Sequence, residues 1–360
     1  MHVGQFHRVD SSTEKILSLD HAISGPRPRK IPFSSALRSL DCLAMLESGI
    51  GREHNVVRIS QRILLDHDGD RRFALSLMDY SSLIIRDIDA VSDLRPVEEL
   101  QKEVWGCSDL DVVPLTMLVA TREIGAVLVG AYDSRSLVGF VYGIPGFEHG
   151  QSVHHSHMLA VKPEYRNFNL GFKLKAAQRE RVMAQGIKRV TWTFDPLQSL
   201  NAYFNFSKLG VIADTYKINF YGETTSSFLH QIGTDRLWVS WLVDSDRVCK
   251  KLENQAQTST GEDMPSLVQV GVGLRPERNE KSELLEGDRV SIEIPDDINA
   301  LQSQSPELAV HWREATRWAF TEAIAGGYIV KDFYRLRRRD YSVGVYVLSK
   351  SQGRNSINGS

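Results

Sequence analysis

Cysteine is scarce: Cys42, Cys107 and Cys249 are the only three in 360 residues, far apart and without the close spacing of a metal knuckle. Neither a disulfide framework nor a cysteine-held metal is expected, and the chain reads as a reduced, cytoplasmic protein. Charge of one sign is also missing, since 43 basic residues face 45 acidic ones for a net charge of -2. No global field draws the chain to nucleic acid or to an anionic membrane, so neither is expected as a partner. Nowhere do about 18 apolar residues follow one another, which argues against a membrane span. The first residues interrupt any apolar core with Asp10, Glu14 and Asp20, which argues against a secretory leader. There is no internal repeat.

What is present is organised unevenly. Residues 1–80 have weak periodicity and early breaks at Pro26, Pro28 and Pro32. They are expected as a partly disordered extension with a short helix at Ala36 to Leu46 and a hairpin around Asp68-Gly69. From Ser82 the pattern sharpens into a strand (Leu83 to Ile85), helices at Pro96 to Trp105 and Pro114 to Ile124, and two strands joined by Asp133 to Ser136. A strand to Val161, a helix from Leu170 to Gln185, a strand from Arg189 to Phe194, a helix to Leu209 and strands near Asp214 to Tyr221 and Leu237 to Val243 complete an α+β (mixed α/β) domain over 81–250. The polar stretch 251–287 is expected as a linker despite the apolar run Leu267 to Val272. A β-α-β-β module is expected over 288–350.

The segment that points to chemistry is His157-Met-Leu-Ala-Val-Lys-Pro-Glu-Tyr-Arg-Asn-Phe-Asn-Leu-Gly171, an apolar strand feeding a loop and then a helix. A helix start exposes unpaired backbone N–H groups and a partial positive charge, which suits a pyrophosphate. Arg166 adds a full charge, Gly171 permits close backbone approach, and Asn169 tolerates a left-handed conformation. Leu170, Leu174, Ala177 and Ala184 mark the helix's apolar face and Gly186 its end. Arg166, Asn167, Phe168, Asn169, Leu170 and Gly171 resemble the acyl-coenzyme A-binding motif of the GNAT superfamily, with Asn169 where glycine is usual. Thr191 to Gln198, Asn201 to Asn205 and Lys208 to Gly210 resemble a bacterial GNAT branch, as do Ala309 to Arg313 and Gly327-Tyr328. The resemblance spans about 270 residues and leaves out the first 80.

The resemblance implies a GNAT fold, a central and mostly antiparallel sheet flanked by helices. It also implies acetyl-CoA or another acyl-CoA as co-substrate with no metal, and pantetheine lying between the motif strand and its neighbour. Leu159, Ala160 and Val161 would offer backbone N–H groups, and Phe172 and Asn201 further contacts. Among titratable side chains, His155 and His157 share a strand face, and His157 is the expected base, the other reading being a hydrogen-bonding sheet residue. As a His-x-His metal pair they have no identifiable third ligand. Phe206 stands where the family uses an acidic tyrosine and Ser199 where it uses asparagine, so Tyr203 or Tyr221 is the candidate acid, unless the thiolate leaves unaided. Trp192, Trp238 and Trp241 read as core, and Arg313 and Arg317 as a carboxylate pair or a solvated face. The expected activity is N-acylation of a small-molecule amine, an amino acid by N-acetylation or N-succinylation among the acceptors, in a monomer or homodimer. The alternatives are a non-catalytic CoA-binding module and a protein lysine acetyltransferase.

Overall fold

The computed structural model describes residues 83–222, 232–253 and 264–351, together with two short strands before them; all lie in one compact unit, Asp41–Ser360. The expected helix at Ala36 to Leu46 and hairpin at Asp68-Gly69 lie outside the described residues. The strands are β1 (Arg52–Glu53), β2 (Val56–Arg58), β3 (Leu83–Asp87), β4 (Val127–Asp133), β5 (Ser136–Glu148), β6 (Gln151–Val161) and β7 (Arg189–Phe194). They continue with β8 (Ile212–Lys217), β9 (Arg236–Leu242), β10 (Ser266–Val270), β11 (Pro276–Arg278), β12 (Arg289–Pro295), β13 (Tyr328–Arg337) and β14 (Ser342–Lys350). They form one sheet in the order β1-β2-β3-β4-β5-β6-β7-β9-β8-β13-β14-β12-β10-β11. The pairings are antiparallel except β6 with β7 and β10 with β12. The fold is thus a mixed α/β arrangement on a mostly antiparallel sheet.

Helices α1 (Arg95–Trp105) and α2 (Leu115–Glu123) begin at prolines, whose missing N–H and fixed φ suit a first turn. Leu94, Val97, Leu100 and Leu118 seal one face of β4 to β6 against Phe140, Tyr142 and Ala160. Helix α3 (Leu170–Ala184) covers the opposite face with Leu170, Leu174, Ala177 and Val182; Ala184, expected inside, is exposed, because the apolar stripe rotates to Val182. Helix α4 (Ser199–Ala202) continues into a π turn, Tyr203–Leu209, which shifts the later side chains around the axis. Helices α5 (Asp246–Leu252), α6 (Ile298–Gln304) and α7 (Pro306–Ala325) follow.

Two domain expectations are revised. Within the supposed linker, Leu267, Val268 and Val270 are buried as β10, paired with β11 and β12: the apolar run outweighs the polar composition around it. Within the supposed extension, β2 pairs with β3 (Val57↔Ile85, Arg58↔Ile84), so the sheet reaches upstream of Ser82. The last strands also do not stand apart from the first sheet. Strand β13 meets β8 at Val330↔Ala213, and the seam is bound by Tyr346 Oη donating to Pro196 O (2.7 Å) and by the Lys251–Asp332 ion pair (3.3 Å).

Arg313 and Arg317 on α7 both find carboxylates of the chain itself. Arg313 Nη2 bonds Asp195 Oδ2 at 2.7 Å with both side chains buried, and Arg317 Nε bonds Asp235 Oδ2 at 2.8 Å. The solvated-face reading therefore fails for Arg313, whose charge is enclosed with its partner. Removing one member of a buried pair strands the other, so Arg313→Leu should lower unfolding stability by about 3–5 kcal/mol. Arg317→Ala should cost less, about 1–3 kcal/mol, because Arg317 is itself a third exposed and the buried Asp235 left behind keeps its hydrogen bonds from Tyr216 Oη and the Asn219 N–H. Urea unfolding of both variants checks the ranking, and equal losses would contradict it.

Candidate acyl-transfer site

Strands β6 and β7 are held together at only two registered pairs, His154↔Val190 and His155↔Thr191. Beyond them β6 continues to Val161 paired only with β5, and β7 continues to Phe194 paired only with β9. A V-shaped opening results, in which one edge of β6 from Ser156 onward has no strand partner and the backbone groups on it are available to a ligand. The β5–β6 ladder is irregular at the same place. Gly143 pairs with Ser156 and Tyr142 with Met158, so His157 is an extra residue, a β-bulge.

Beyond β6 the chain makes a 3₁₀ turn, Pro163–Phe168, and enters α3 through Asn169. Asn169 has φ 58° and ψ 22°, the left-handed conformation anticipated from its residue type. No side chain caps the first turn of α3, so the N–H groups of Leu170, Gly171 and Phe172 face outward from the helix start. A Cβ on Gly171 would approach nothing closer than 3.8 Å, so the protein has room for a side chain there; the advantage of glycine lies toward a ligand. Arg166 is exposed beside this turn, its Nε donating to Val161 O at 3.3 Å. Asn167 and Phe168 lie in the same turn, Phe168 packing against the core. Leu159, Ala160 and Val161 form the last stretch of the open strand. Asn201 is exposed on α4.

The histidines separate by environment. His154 is fully enclosed, its Nε2 3.2 Å from the Gln178 amide and its Nδ1 without a partner, and burial pushes its pKa down to about 3. His155 lies 3.1 Å from Thr191 Oγ1 and 5.1 Å, centroid to centroid, from the Trp238 ring; burial, helped by His157 and Lys175, lowers it to about 4. His157 is exposed in the concavity, edge-on to Tyr142 at 6.2 Å, and the protein around it lowers its pKa below 6.5. It is therefore neutral at pH 7 and carries a free lone pair.

Of the candidate acids, Tyr221 belongs to this face, whereas Tyr203 opens the π turn after α4. The Tyr221 hydroxyl lies 3.5 Å from Thr193 Oγ1, and its ring meets Phe220 at 4.8 Å and the Arg236 guanidinium at 5.2 Å. Tyr203 stands on the π turn with Lys208 Nζ 5.7 Å above its ring. Phe206 is buried against Phe194 and Tyr346, so a hydroxyl at that position would face the core. Trp192 and Trp241 are core, whereas half-buried Trp238 lines the open face between His155 and Phe220, at 6.2 Å from the latter. Lys175 and Gln178, enclosed beneath the opening, were not legible as site residues, since polar positions on a helix normally face solvent.

The enclosed histidines make stability depend on acidity. Their folded pKa values lie below the unfolded value of 6.5, so the unfolded chain binds the extra protons. Stability is full above pH 6.5 and falls as pH drops, by about 1.4 kcal/mol per pH unit for each histidine, through a window that ends at about 4 for His155 and about 3 for His154. Urea midpoints measured across that window should show a shallower slope in His154→Gln than in the parent. An unchanged slope would mean that His154 titrates normally.

Set beside known proteins, the chain resembles several solved acetyltransferases at low identity. The ribosomal-protein-S18-alanine N-acetyltransferase from Escherichia coli is 13% identical, covering 45% of this chain and 94% of that one at a TM-score of 0.36. The aminoglycoside 6'-N-acetyltransferase from Enterococcus faecium is 18% identical (44% and 96% covered, TM-score 0.34). The PaiA N-acetyltransferase from Thermoplasma acidophilum, solved with coenzyme A, is 16% identical (44% and 98% covered, TM-score 0.31). No curated protein matches the sequence. Residues 94–210, which hold the strand opening, the bulge and the start of α3, match the family model described as the Acetyltransferase (GNAT) family, and the chain thus contains a GNAT acetyltransferase domain.

Proposed function

We propose that the chain transfers a short acyl group from acyl-coenzyme A to the amine of a small molecule, with amino acids as the acceptor class. The observation that carries this reading is the end of the β6–β7 ladder at His155↔Thr191, beside an uncapped helix start. The pyrophosphate of the co-substrate fits the N–H groups of Leu170, Gly171 and Phe172 with Arg166 beside them, and its pantetheine arm fits the unpaired edge of β6. Asn167, Phe168 and Asn169 shape the approach, while Phe172 and Asn201 flank it.

Acyl transfer to an amine needs the amine neutral, the tetrahedral oxyanion stabilised and the thiolate released. Backbone N–H groups at Leu159, Ala160 and Val161, fixed before reaction, supply the second. His157, neutral and open to the cleft, accepts the ammonium proton directly or through water. Tyr221, on the same face, is the better placed of the two tyrosines to return a proton; Tyr203 lies toward the helix side. A thiol of pKa about 8.5 also leaves without a dedicated acid. Among the described residues no cluster of metal-ligating side chains accompanies the histidines.

The acceptor face supports a small monoamine over a polycation. It is lined by His155, Trp238, Phe220 and Tyr221, with Arg236 at its end, and the nearby carboxylates Asp195 and Asp235 are each committed to an arginine. With Asp195 and Asp235 so engaged, the described residues of this face favour an acceptor that carries its own carboxylate over a polyamine or a basic peptide.

Three measurements check this reading. Acyl-CoA consumption should be supported by amino acids and not by spermidine; the reverse ranking overturns the acceptor assignment. His157→Gln should lower kcat by about 10²- to 10⁴-fold with coenzyme A affinity unchanged. The acidic limb of the parent's kcat/KM profile should lie below pH 6.5, following the lowered imidazole, and should vanish in the variant. Full activity of the variant over that range would place the base elsewhere. Gly171→Glu, which sets bulk and negative charge at the helix start, should abolish coenzyme A binding by calorimetry.

A further inference from the structure

Lys175 is the most unusual charged residue in the domain. It stands in the second turn of α3 and is 2% exposed, and among the described residues no carboxylate pairs with it. Its amine donates to Ser156 Oγ at 3.0 Å and to Gln178 Oε1 at 2.9 Å, and it lies 3.7 Å from the ring centroid of Trp192 and 5.3 Å from that of Trp241. Ser156 Oγ donates to the same Gln178 oxygen at 3.0 Å. Burial holds the pKa of this amine well below the usual lysine value. Enclosing a lysine without a counter-charge costs stability that a methionine of similar length would not.

The position of Ser156 suggests what the amine does. Ser156 is the last residue before the bulge, and with His154 it faces α3. Leu159, three residues later, also faces α3, its Cδ2 3.8 Å from where a Cβ on Gly171 would stand. In an unbroken strand residues three apart point to opposite faces, so one extra residue must be absorbed between these two contacts. The packing of Leu159 and Val161 against the apolar core that includes Leu170 and Leu174 fixes the downstream limit, and the Lys175–Gln178–Ser156 cluster fixes the upstream one. Without the polar contact the extra residue is free to slip along β6, carrying the His157 imidazole and the following N–H groups out of place.

We propose that Lys175, acting through Ser156, is a positioning residue that pins the β-bulge at His157 and so sets where the imidazole and the open backbone donors meet the thioester. The inference rests on the acyl-transfer reading, and its test separates the two. Lys175→Met and Ser156→Ala should each lower kcat by about 10- to 100-fold while coenzyme A affinity changes by less than about two-fold. The Lys175→Met/Ser156→Ala double variant should be no worse than the poorer single one, because both break one contact. Thermal stability of Lys175→Met should hold or rise, so a loss of activity with a retained Tm marks positioning and not unfolding. Parent-like kcat in both single variants, or losses that multiply in the double variant, overturns the proposal. If no amine supports turnover in the parent, the acyl-transfer reading fails; the His157 imidazole resonances in the same variants then decide the bulge itself. Shifted or broadened signals support the pin, and parent-like signals in both variants overturn it.

Discussion

The separation of two parallel strands governs the rest of this domain. Strands β6 and β7 share two registered pairs and then part, so that backbone groups normally consumed by a sheet stay open at its centre. Such an opening is costly in a continuous sheet and persists only if each strand is held from its other side. Strand β5 holds β6 over ten registered pairs, and β9 holds β7 along its whole length. The helix that follows β6 is pulled across the gap by Leu170 and Leu174, which sets its uncapped start beside the opening. Uncapped helix start, unpaired strand edge and bulged histidine thus arise from one arrangement of the backbone.

The two faces of the sheet near this gap carry different chemistry. Under α3 the polar groups are enclosed: Ser156, Lys175 and Gln178 bond one another, His154 meets Gln178 through Nε2 alone, and the cationic forms of the histidine and the lysine are suppressed by burial. On the other face, His157, Trp238, Phe220 and Tyr221 remain partly open, and the carboxylates at the end of that face are neutralised by α7. The face beneath α3 is therefore enclosed and polar, while the opposite face is aromatic and partly open.

The later strands do more than follow the acetyltransferase domain. Continuing the sheet from β8 to β13 removes an edge that would otherwise be exposed, and α7 lays alanines and Trp312 over the new strands. Arg313 reaches from that helix to Asp195 at the end of β7, a few residues from the opening. The downstream segment thereby braces the very strand whose divergence forms the site.

Much was decided by the sequence alone. The strand, left-handed Asn169, helix start and Gly171 follow from local residue types, because these depend on neighbours within a few residues. The helix Pro306–Ala325 was likewise legible from its proline start and apolar period. Tertiary structure alone decided that Leu267 to Val270 form a strand, since burial between distant strands overrode a polar, linker-like composition. It also decided that His157 is an inserted residue, that Lys175 points inward without a carboxylate, and that Arg313 and Arg317 meet Asp195 and Asp235. In each case the partner lies on another element, and a lysine or arginine on a helix carries no local mark of the face it will occupy until the sheet beneath it is assembled.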